Sequence, residues 1–187
     1  MELKIADYAP SPTRVIRKML EYSKISKGDI LYDIGSGTGR IVIEAAKNYG
    51  VKSRGVEIDP NLVEISRGRI KEQGLDHLIE IVNGDVLDVG LSEADVVTAY
   101  LSPVGMDCIE SKIFTELKTT ARFVSHDYGF PNYCPSESHF IWAKSFSFPW
   151  TPFPVGHFIE VYKMDNVRKR KSILHRSKGS VGRSENG

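Results

Sequence analysis

The chain has 187 residues, of which 41% are hydrophobic and 26% are charged, with a formal net charge of +1. This length and composition are typical of one globular domain with a buried core. The two cysteines are too few for a disulfide framework, the amino terminus lacks the apolar segment of a signal peptide, and no apolar run approaches the ~20 residues that span a bilayer. We therefore expect a soluble, cytoplasmic, monomeric protein with no membrane partner.

Charge is distributed unevenly between the body of the chain and its end. Residues 166–187 contain seven lysines and arginines and one acidic residue, whereas residues 1–165 contain 18 basic and 23 acidic residues. The terminal segment is aperiodic and rich in Ser and Gly, as flexible tails are. We predict a domain over residues 1–165 and a flexible basic tail over residues 166–187. The tail is either a solvated end or a segment that associates with nucleic acid.

Helices and strands are predicted to alternate through the first two thirds of the chain. Residues 11–25 have apolar side chains at helical spacing, with Ser11 as a candidate cap and Pro12 in the first turn. Short apolar runs that predict strands cover residues 30–34, 51–58, 78–82, 94–101 and 121–125, and helices are predicted between Ile41 and Gly50, between Pro60 and Gly74, and over residues 106–117. This alternation favours a right-handed parallel α/β sheet.

The pattern changes after residue 125. Residues 126–156 contain five prolines and several aromatic side chains. Residues 140–148 and 157–162 are predicted strands, with no helical pattern between them. Because antiparallel strands can be joined without a crossover helix, we expect these two strands to form a hairpin at one edge of the sheet.

The most informative motif, Asp33-Ile34-Gly35-Ser36-Gly37-Thr38-Gly39, directly follows the first predicted strand. A dinucleotide-binding fingerprint, G-x-G-x-x-G/A, would require a small residue at position 40, where this sequence has Arg40. Glycines let the backbone turn sharply and approach a ligand, while the Asp33 carboxylate repels a pyrophosphate and attracts a cation. S-adenosylmethionine, which has a sulfonium, an ammonium and no phosphate, fits this pattern.

Polar side chains also end the next predicted strands, at the edge where open α/β sheets bind ligands. Glu57 ends the second strand, where an acid can accept both ribose hydroxyls. Asp85 follows the third strand, where it could accept from an adenine amino group or stabilise a turn. Tyr100 and Ser102 close the fourth strand. Their order at consecutive strand ends predicts a nucleoside-containing cofactor.

Two further segments resemble a known family more narrowly than the glycine loop does. They are Tyr8-Ala9-Pro10-Ser11-Pro12 and Arg122-Phe123-Val124-Ser125-His126. With Gly55-Val56-Glu57, they make residues 7–164 similar to class I S-adenosylmethionine-dependent methyltransferases, and most similar to the archaeal protein-lysine methyltransferases and their mitochondrial relatives. The resemblance implies a three-layer Rossmann-like α/β sandwich, with a mostly parallel seven-strand sheet and an antiparallel edge hairpin. It also implies protein substrates with accessible lysines, whose ε-amine receives the methyl group.

The resemblance implies roles for individual residues. The loop with Tyr8, Pro10 and Ser11 would cover the methionine end of the cofactor and shape the lysine channel. Gly35, Ser36 and Gly37 would line the methionine moiety with Asp33 supporting their loop, Glu57 and Ile58 would lie at the ribose, and Asp85 and Val86 would lie at the adenine. Tyr8, Tyr100 and Ser102 would form the methyl-transfer site.

The chemistry of methyl transfer asks mainly for positioning. A lysine amine must first lose its proton, and a low-dielectric channel beside a cationic cofactor favours that loss by lowering the pKa of the amine. Candidates for aromatic channel walls are Tyr8, Tyr100 and Tyr128, which could alternatively serve packing. His126 is interpreted as a structural histidine, with proton relay as the alternative. No Ser-His-Asp arrangement is expected around Ser102, and two cysteines without ligand spacing predict no metal.

Two other functions stay open from the sequence. Amino-directed nucleic-acid methyltransferases often carry an acid or Asn, then Pro-Pro and an aromatic residue, after the fourth strand, whereas this chain has Leu101-Ser102-Pro103-Val104. A methyltransferase for RNA or a small metabolite is therefore the second hypothesis. The third is a non-catalytic nucleic-acid-associated module that binds through the basic tail.

Overall fold

The computed structural model describes residues 9–144 and 153–169. The strands in these ranges are β1 (Ile30–Ile34), β2 (Lys52–Glu57), β3 (Ile79–Asn83), β4 (Val96–Ala99), β5 (Arg122–His126), β6 (Tyr133–Cys134), β7 (Glu137–Ala143), β8 (Val155–Lys163) and β9 (Arg168–Lys169). The helices are α1 (Thr13–Tyr22), α2 (Arg40–Tyr49), α3 (Pro60–Glu72) and α4 (Pro103–Glu116). None of the helices within these ranges is both long and apolar enough to cross a bilayer.

A seven-stranded sheet in the order β3-β2-β1-β4-β5-β8-β7 forms the centre of the molecule. The five strands from β3 to β5 in this order are parallel, whereas β8 is antiparallel to β5 and β7 is antiparallel to β8. The predicted α/β class, the seven strands and the antiparallel edge hairpin are thereby confirmed.

Helices cover both faces of this sheet. Apolar side chains of α1, α2 and α3 form one buried cluster against it, and α4 contributes Met106, Ile109 and Ile113 to a second cluster on the other side. Strand β4 is buried along its whole length, as a central parallel strand should be. The result is the three-layer sandwich that the resemblance implies.

Some predicted boundaries differ from the structure for local reasons. Helix α1 begins at Thr13, and the Ser11 hydroxyl does not cap it but lies 2.8 Å from Nδ1 of His126. Helix α4 begins at Pro103 instead of residue 106, because the Ser102 hydroxyl accepts a hydrogen bond from the Gly105 N–H and Pro103 suits the first turn. Strand β4 is four residues long, shorter than the predicted span of residues 94–101.

A second, two-stranded antiparallel sheet joins β6 to β9. The sequence pattern did not predict it, because two-residue strands carry no periodicity. Its residues 168–169 fall in the segment predicted as a flexible tail, and they are paired instead. The rest of the tail, the segment 145–152 and Tyr8 lie outside the described residues, so the boundary between domain and tail stays a prediction.

The hairpin register brings β8 to the ligand-binding edge of the sheet. His126, the last residue of β5, pairs with Ile159 of β8. Because β8 is antiparallel to β5, its first residues lie beside the carboxyl ends of the parallel strands. His157 therefore reaches the same edge as the glycine loop, although it is far from that loop in sequence.

Candidate functional site

A cavity of about 500 Å³ opens at the carboxyl edge of the parallel strands. This volume lies in the usual range for small-molecule sites. Every predicted cofactor residue that the structure describes lines this cavity: Pro10, Ser11, Asp33, Gly35, Ser36, Gly37, Glu57, Ile58, Asp85, Val86 and Tyr100. The structure thus brings these residues together, while their individual roles stay predictions.

The glycine loop is shaped by backbone conformations that other residues rarely adopt. Gly35 and Gly37 have φ angles of 69° and 54°, in the left-handed region. The N–H groups of Gly35 and Ser36 both donate to the Val56 carbonyl oxygen, at 2.9 and 3.1 Å. A Cβ on Gly35 would lie 3.0 Å from Cδ2 of Leu101. The loop therefore passes close to both neighbouring strand ends, and glycine is required there by sterics as well as by φ.

Glu57 joins the end of β2 to the glycine loop. Its Oε2 accepts a hydrogen bond from the Gly37 N–H at 2.7 Å, and its Oε1 accepts one from the Asp59 N–H at 3.0 Å. The side chain is buried, yet it lines the cavity. Because an ionised carboxylate can accept about four hydrogen bonds, Glu57 retains acceptor capacity for the two hydroxyls of a ribose.

Asp33 is a buried carboxyl group in the cavity wall. Burial raises its pKa to about 7, the Thr98 hydroxyl opposes this shift by donating a hydrogen bond at 2.8 Å, and the nearby Glu57 charge adds to it. A cation in the cavity would favour the ionised form of Asp33. Sequence reasoning missed Thr98; the available signal was one polar residue in the otherwise apolar strand β4.

At the adenine end of the predicted site, Asp85 has the turn-forming role that the sequence left open. Its Oδ1 accepts a hydrogen bond from the Leu87 N–H at 2.9 Å and caps the single 3₁₀ turn Val86–Asp88. Asp85 and Val86 also line the cavity, as does Ile58, whose side chain is largely exposed. The turn thus holds a carboxylate beside apolar surface, an arrangement suited to the amino edge and the faces of a purine.

The three candidates for the methyl-transfer site that the structure describes are not equally placed. Tyr100 lines the cavity, and burial raises the pKa of its phenol to about 12, with the charge of Asp127 as a further cause. Ser102 caps α4 and Tyr128 is 43% exposed, and neither is among the residues that line the cavity. The geometry favours Tyr100 as the aromatic wall.

His126 lies behind Tyr100, and both of its ring nitrogens have partners. Nδ1 lies 2.8 Å from the Ser11 hydroxyl, and Nε2 lies 2.9 Å from Nδ1 of His157. The Tyr100 ring packs on the imidazole with centroids 3.9 Å apart. Burial lowers the pKa of His126 to about 4. This environment agrees with the interpretation of a structural histidine, which here connects the two narrow sequence motifs.

His126, Asp127 and His157 bring three potential metal-ligand atoms within 4.8 Å of one another. The sequence predicted no metal, on the evidence of its cysteines alone. His157 lies 31 residues after His126. No ligand spacing in the sequence therefore signals the cluster, which only the hairpin register creates.

A parallel sheet of this order, with a glycine loop after β1 and an acid at the end of β2, defines a class I S-adenosylmethionine-dependent methyltransferase. The model of the ANTKMT methyltransferase domain matches residues 33–137. The chain belongs to this family. Its cofactor is S-adenosylmethionine, as the resemblance implied.

Individual relatives agree with this assignment. The chain is 40% identical over 131 residues to a protein-lysine N-methyltransferase of Saccharolobus islandicus, covering 70% of this chain and 81% of the relative. It is 34% identical over 167 residues to an ATP synthase lysine N-methyltransferase of Xenopus laevis, covering 89% of this chain and 71% of that protein. An RNA methyltransferase from Salinibacter ruber, solved in complex with S-adenosyl-L-homocysteine, superposes with a TM-score of 0.73 at 34% identity, covering 83% of this chain and 93% of that one.

Proposed function

We propose that this protein transfers the methyl group of S-adenosylmethionine to the ε-amine of lysine in a protein substrate. The observation that carries the proposal is the 40% identity to a protein-lysine N-methyltransferase, which extends over 81% of that relative. The cofactor site described above supplies the methyl donor.

The reaction needs few groups beyond those at the cavity. The lone pair of the lysine nitrogen forms a bond to the methyl carbon, the carbon–sulfur bond breaks, and its electrons stay on sulfur to give S-adenosylhomocysteine. The proton of the amine is lost to solvent. With a pKa of about 12, the Tyr100 phenol stays neutral at physiological pH and can orient the uncharged amine through its oxygen. A buried, cation-containing cavity disfavours the ammonium form of lysine.

RNA methylation is the second candidate, because one observation favours it. The Salinibacter ruber structure, at 34% identity, carries the name RNA methyltransferase. The basic tail, which the sequence predicts as a nucleic-acid-binding segment, is compatible with that substrate. Against it stands the absence of the acid-or-Asn, Pro-Pro and aromatic pattern in residues 101–104.

Labelled methyl transfer into a cell extract tests the proposal. The full chain is incubated with extract and S-adenosylmethionine carrying a radioactive methyl group, and samples are digested with ribonuclease or protease before separation. Protease-sensitive label that maps to lysine by mass spectrometry is the expected result. Ribonuclease-sensitive label would overturn the proposal in favour of RNA. S-adenosylhomocysteine binding without any label would favour the non-catalytic module.

Two variants make this assay specific for the described cavity. Glu57→Ala removes a cavity carboxylate and is expected to abolish labelling. Glu80→Ala removes an exposed carboxylate of β3 that pairs with Arg54 outside the cavity, and this variant should label like the natural chain. Cytoplasmic location and a monomeric state accompany the proposal as sequence-based expectations, and size-exclusion chromatography with light scattering checks the latter.

A further inference from the structure

The cluster of His126, Asp127 and His157 has the geometry of a metal site. Nε2 of His126 lies 2.9 Å from Nδ1 of His157, and Oδ2 of Asp127 lies 3.2 Å from each of these nitrogens. A tetrahedral zinc ion with bonds of about 2.0–2.1 Å separates its ligand atoms by roughly 3.3 Å. The three atoms therefore already form a triangle close to one face of such a coordination sphere.

Hydrogen bonding alone uses this triangle poorly. A proton on Nδ1 of His157 can be shared between the other two atoms, which leaves the lone pair of His126 Nε2 facing a carboxylate oxygen at 3.2 Å. Protons on both nitrogens would instead place two N–H groups against each other across 2.9 Å. A cation at the centre satisfies all three atoms at once.

The outer contacts of the cluster are those that hold metal ligands in place. His126 can donate its other ring N–H to the Ser11 hydroxyl, which fixes the tautomer that leaves Nε2 free for a metal. The second oxygen of Asp127, Oδ1, accepts a hydrogen bond from the Phe158 N–H at 2.9 Å. Two of the three ligand side chains are thus oriented by separate partners.

The backbone at the cluster is also unusual. Asp127 has a φ of 61°, in the left-handed region that few non-glycine residues occupy. This conformation directs its carboxylate toward both imidazoles, and strain of this kind persists where the surrounding structure holds it. The two histidine side chains are buried, while that of Asp127 is 25% exposed. Solvent can therefore supply a fourth ligand from the Asp127 side.

We propose that His126, Asp127 and His157 bind one zinc ion, with water as the fourth ligand. Two histidines and one carboxylate are a known ligand set for zinc. Through His126 the ion would hold the end of β5, the start of β8 and the Ser11 loop together beside the cavity. The proposal is independent of the substrate and of methyl transfer, because its readout is metal binding alone.

Metal titration of the full chain tests this site. The protein is treated with a chelator, and zinc chloride is titrated by calorimetry; Co²⁺ then serves as a spectroscopic substitute whose visible absorption reports four-coordinate geometry. One zinc site per chain is expected that is weakened about 100-fold or more by His157→Ala and at least about tenfold by Asp127→Asn. Asparagine tolerates the left-handed backbone, so Asp127→Asn keeps the test decisive if His157→Ala fails to fold.

The control is His77→Ala, which removes an exposed histidine far from the cluster in the sequence and in the sheet. Its zinc affinity should stay within about twofold of the natural chain, since it is no ligand. Binding of S-adenosylhomocysteine verifies the fold of each variant. A natural chain that takes up no zinc would overturn the proposal, as would equal zinc affinity in the natural chain, Asp127→Asn and His157→Ala.

Discussion

The two halves of the sheet build their functional groups in different ways. In the parallel half, the strand ends and the loops directly after them supply the cavity, and the glycine loop is held by the Val56 carbonyl and the Glu57 carboxylate. In the hairpin half, β5 and β8 meet across a long connection and bury two histidines side by side. The parallel half therefore encodes its site as a local motif, whereas the hairpin half encodes it in tertiary contacts.

The largest expected effect tests the parallel half at Glu57. Glu57→Ala removes the acceptor proposed for the ribose hydroxyls and the partner of the Gly37 N–H. Since hydrogen bonds to charged groups contribute about 1.5–3 kcal/mol, the affinity for S-adenosylhomocysteine should fall about 100-fold by calorimetry. Glu80→Ala should bind like the natural chain. An unchanged affinity in Glu57→Ala would remove Glu57 from the site.

A pair of glycine substitutions sharpens the same comparison through stability. A Cβ on Gly55 of β2 would lie 2.7 Å from Cδ1 of Ile81 and 2.7 Å from Oγ of Ser36. Overpacking of this kind should make Gly55→Ala destabilising by about 2 kcal/mol in urea unfolding. Gly68 lies in α3, where a Cβ would meet nothing within 4 Å, so Gly68→Ala should stabilise by about 0.5–1 kcal/mol. Equal effects of the two substitutions would contradict the close approach of β2 and the loop.

The next effect is a pH dependence that belongs to Asp33. Its pKa of about 7 lies above the value in the unfolded chain, so its contribution to folding stability is complete below about pH 4 and is lost as the pH rises through 7. A cationic cofactor reverses this preference by favouring the carboxylate. Cofactor affinity should therefore rise about tenfold between pH 6 and pH 8.

Asp33→Asn provides the control for that titration. The variant has no proton to release at this position, so its cofactor affinity should be weaker and nearly independent of pH between 6 and 8. Its stability should exceed that of the natural chain more at pH 8 than at pH 5, measured by thermal unfolding without cofactor. A natural chain with a flat affinity profile would show that Asp33 does not respond to the ligand.

The smallest expected effect lies on the outer strand of the hairpin. Trp142 on β7 is 56% exposed and packs edge-on against the partly exposed Phe140. Trp142→Ser should change the free energy of unfolding by less than about 0.5 kcal/mol and leave cofactor affinity unchanged. A large loss of either quantity would mean that the hairpin edge supports the cavity, against the division between the two halves.

The extent of sequence-based prediction follows the same division. The strand at residues 30–34, the glycine loop and the acid at Glu57 follow from apolar runs and turn chemistry, which act over a few residues. Thr98 reaches Asp33 across 65 residues and Ser11 reaches His126 across 115 residues. No periodicity reports such contacts, because they depend on strand order and register. For the same reason the sheet of β6 and β9 went unpredicted.

The link between Glu57 and the Gly37 N–H has a consequence for how fast and how tightly the cofactor binds. The loop is preorganised by this hydrogen bond before any ligand arrives, so little conformational entropy is lost in shaping it at the moment of encounter. The side chain proposed to accept from the sugar hydroxyls would thus also keep the empty loop in its receptive shape. Removing it should slow association as well as hasten release.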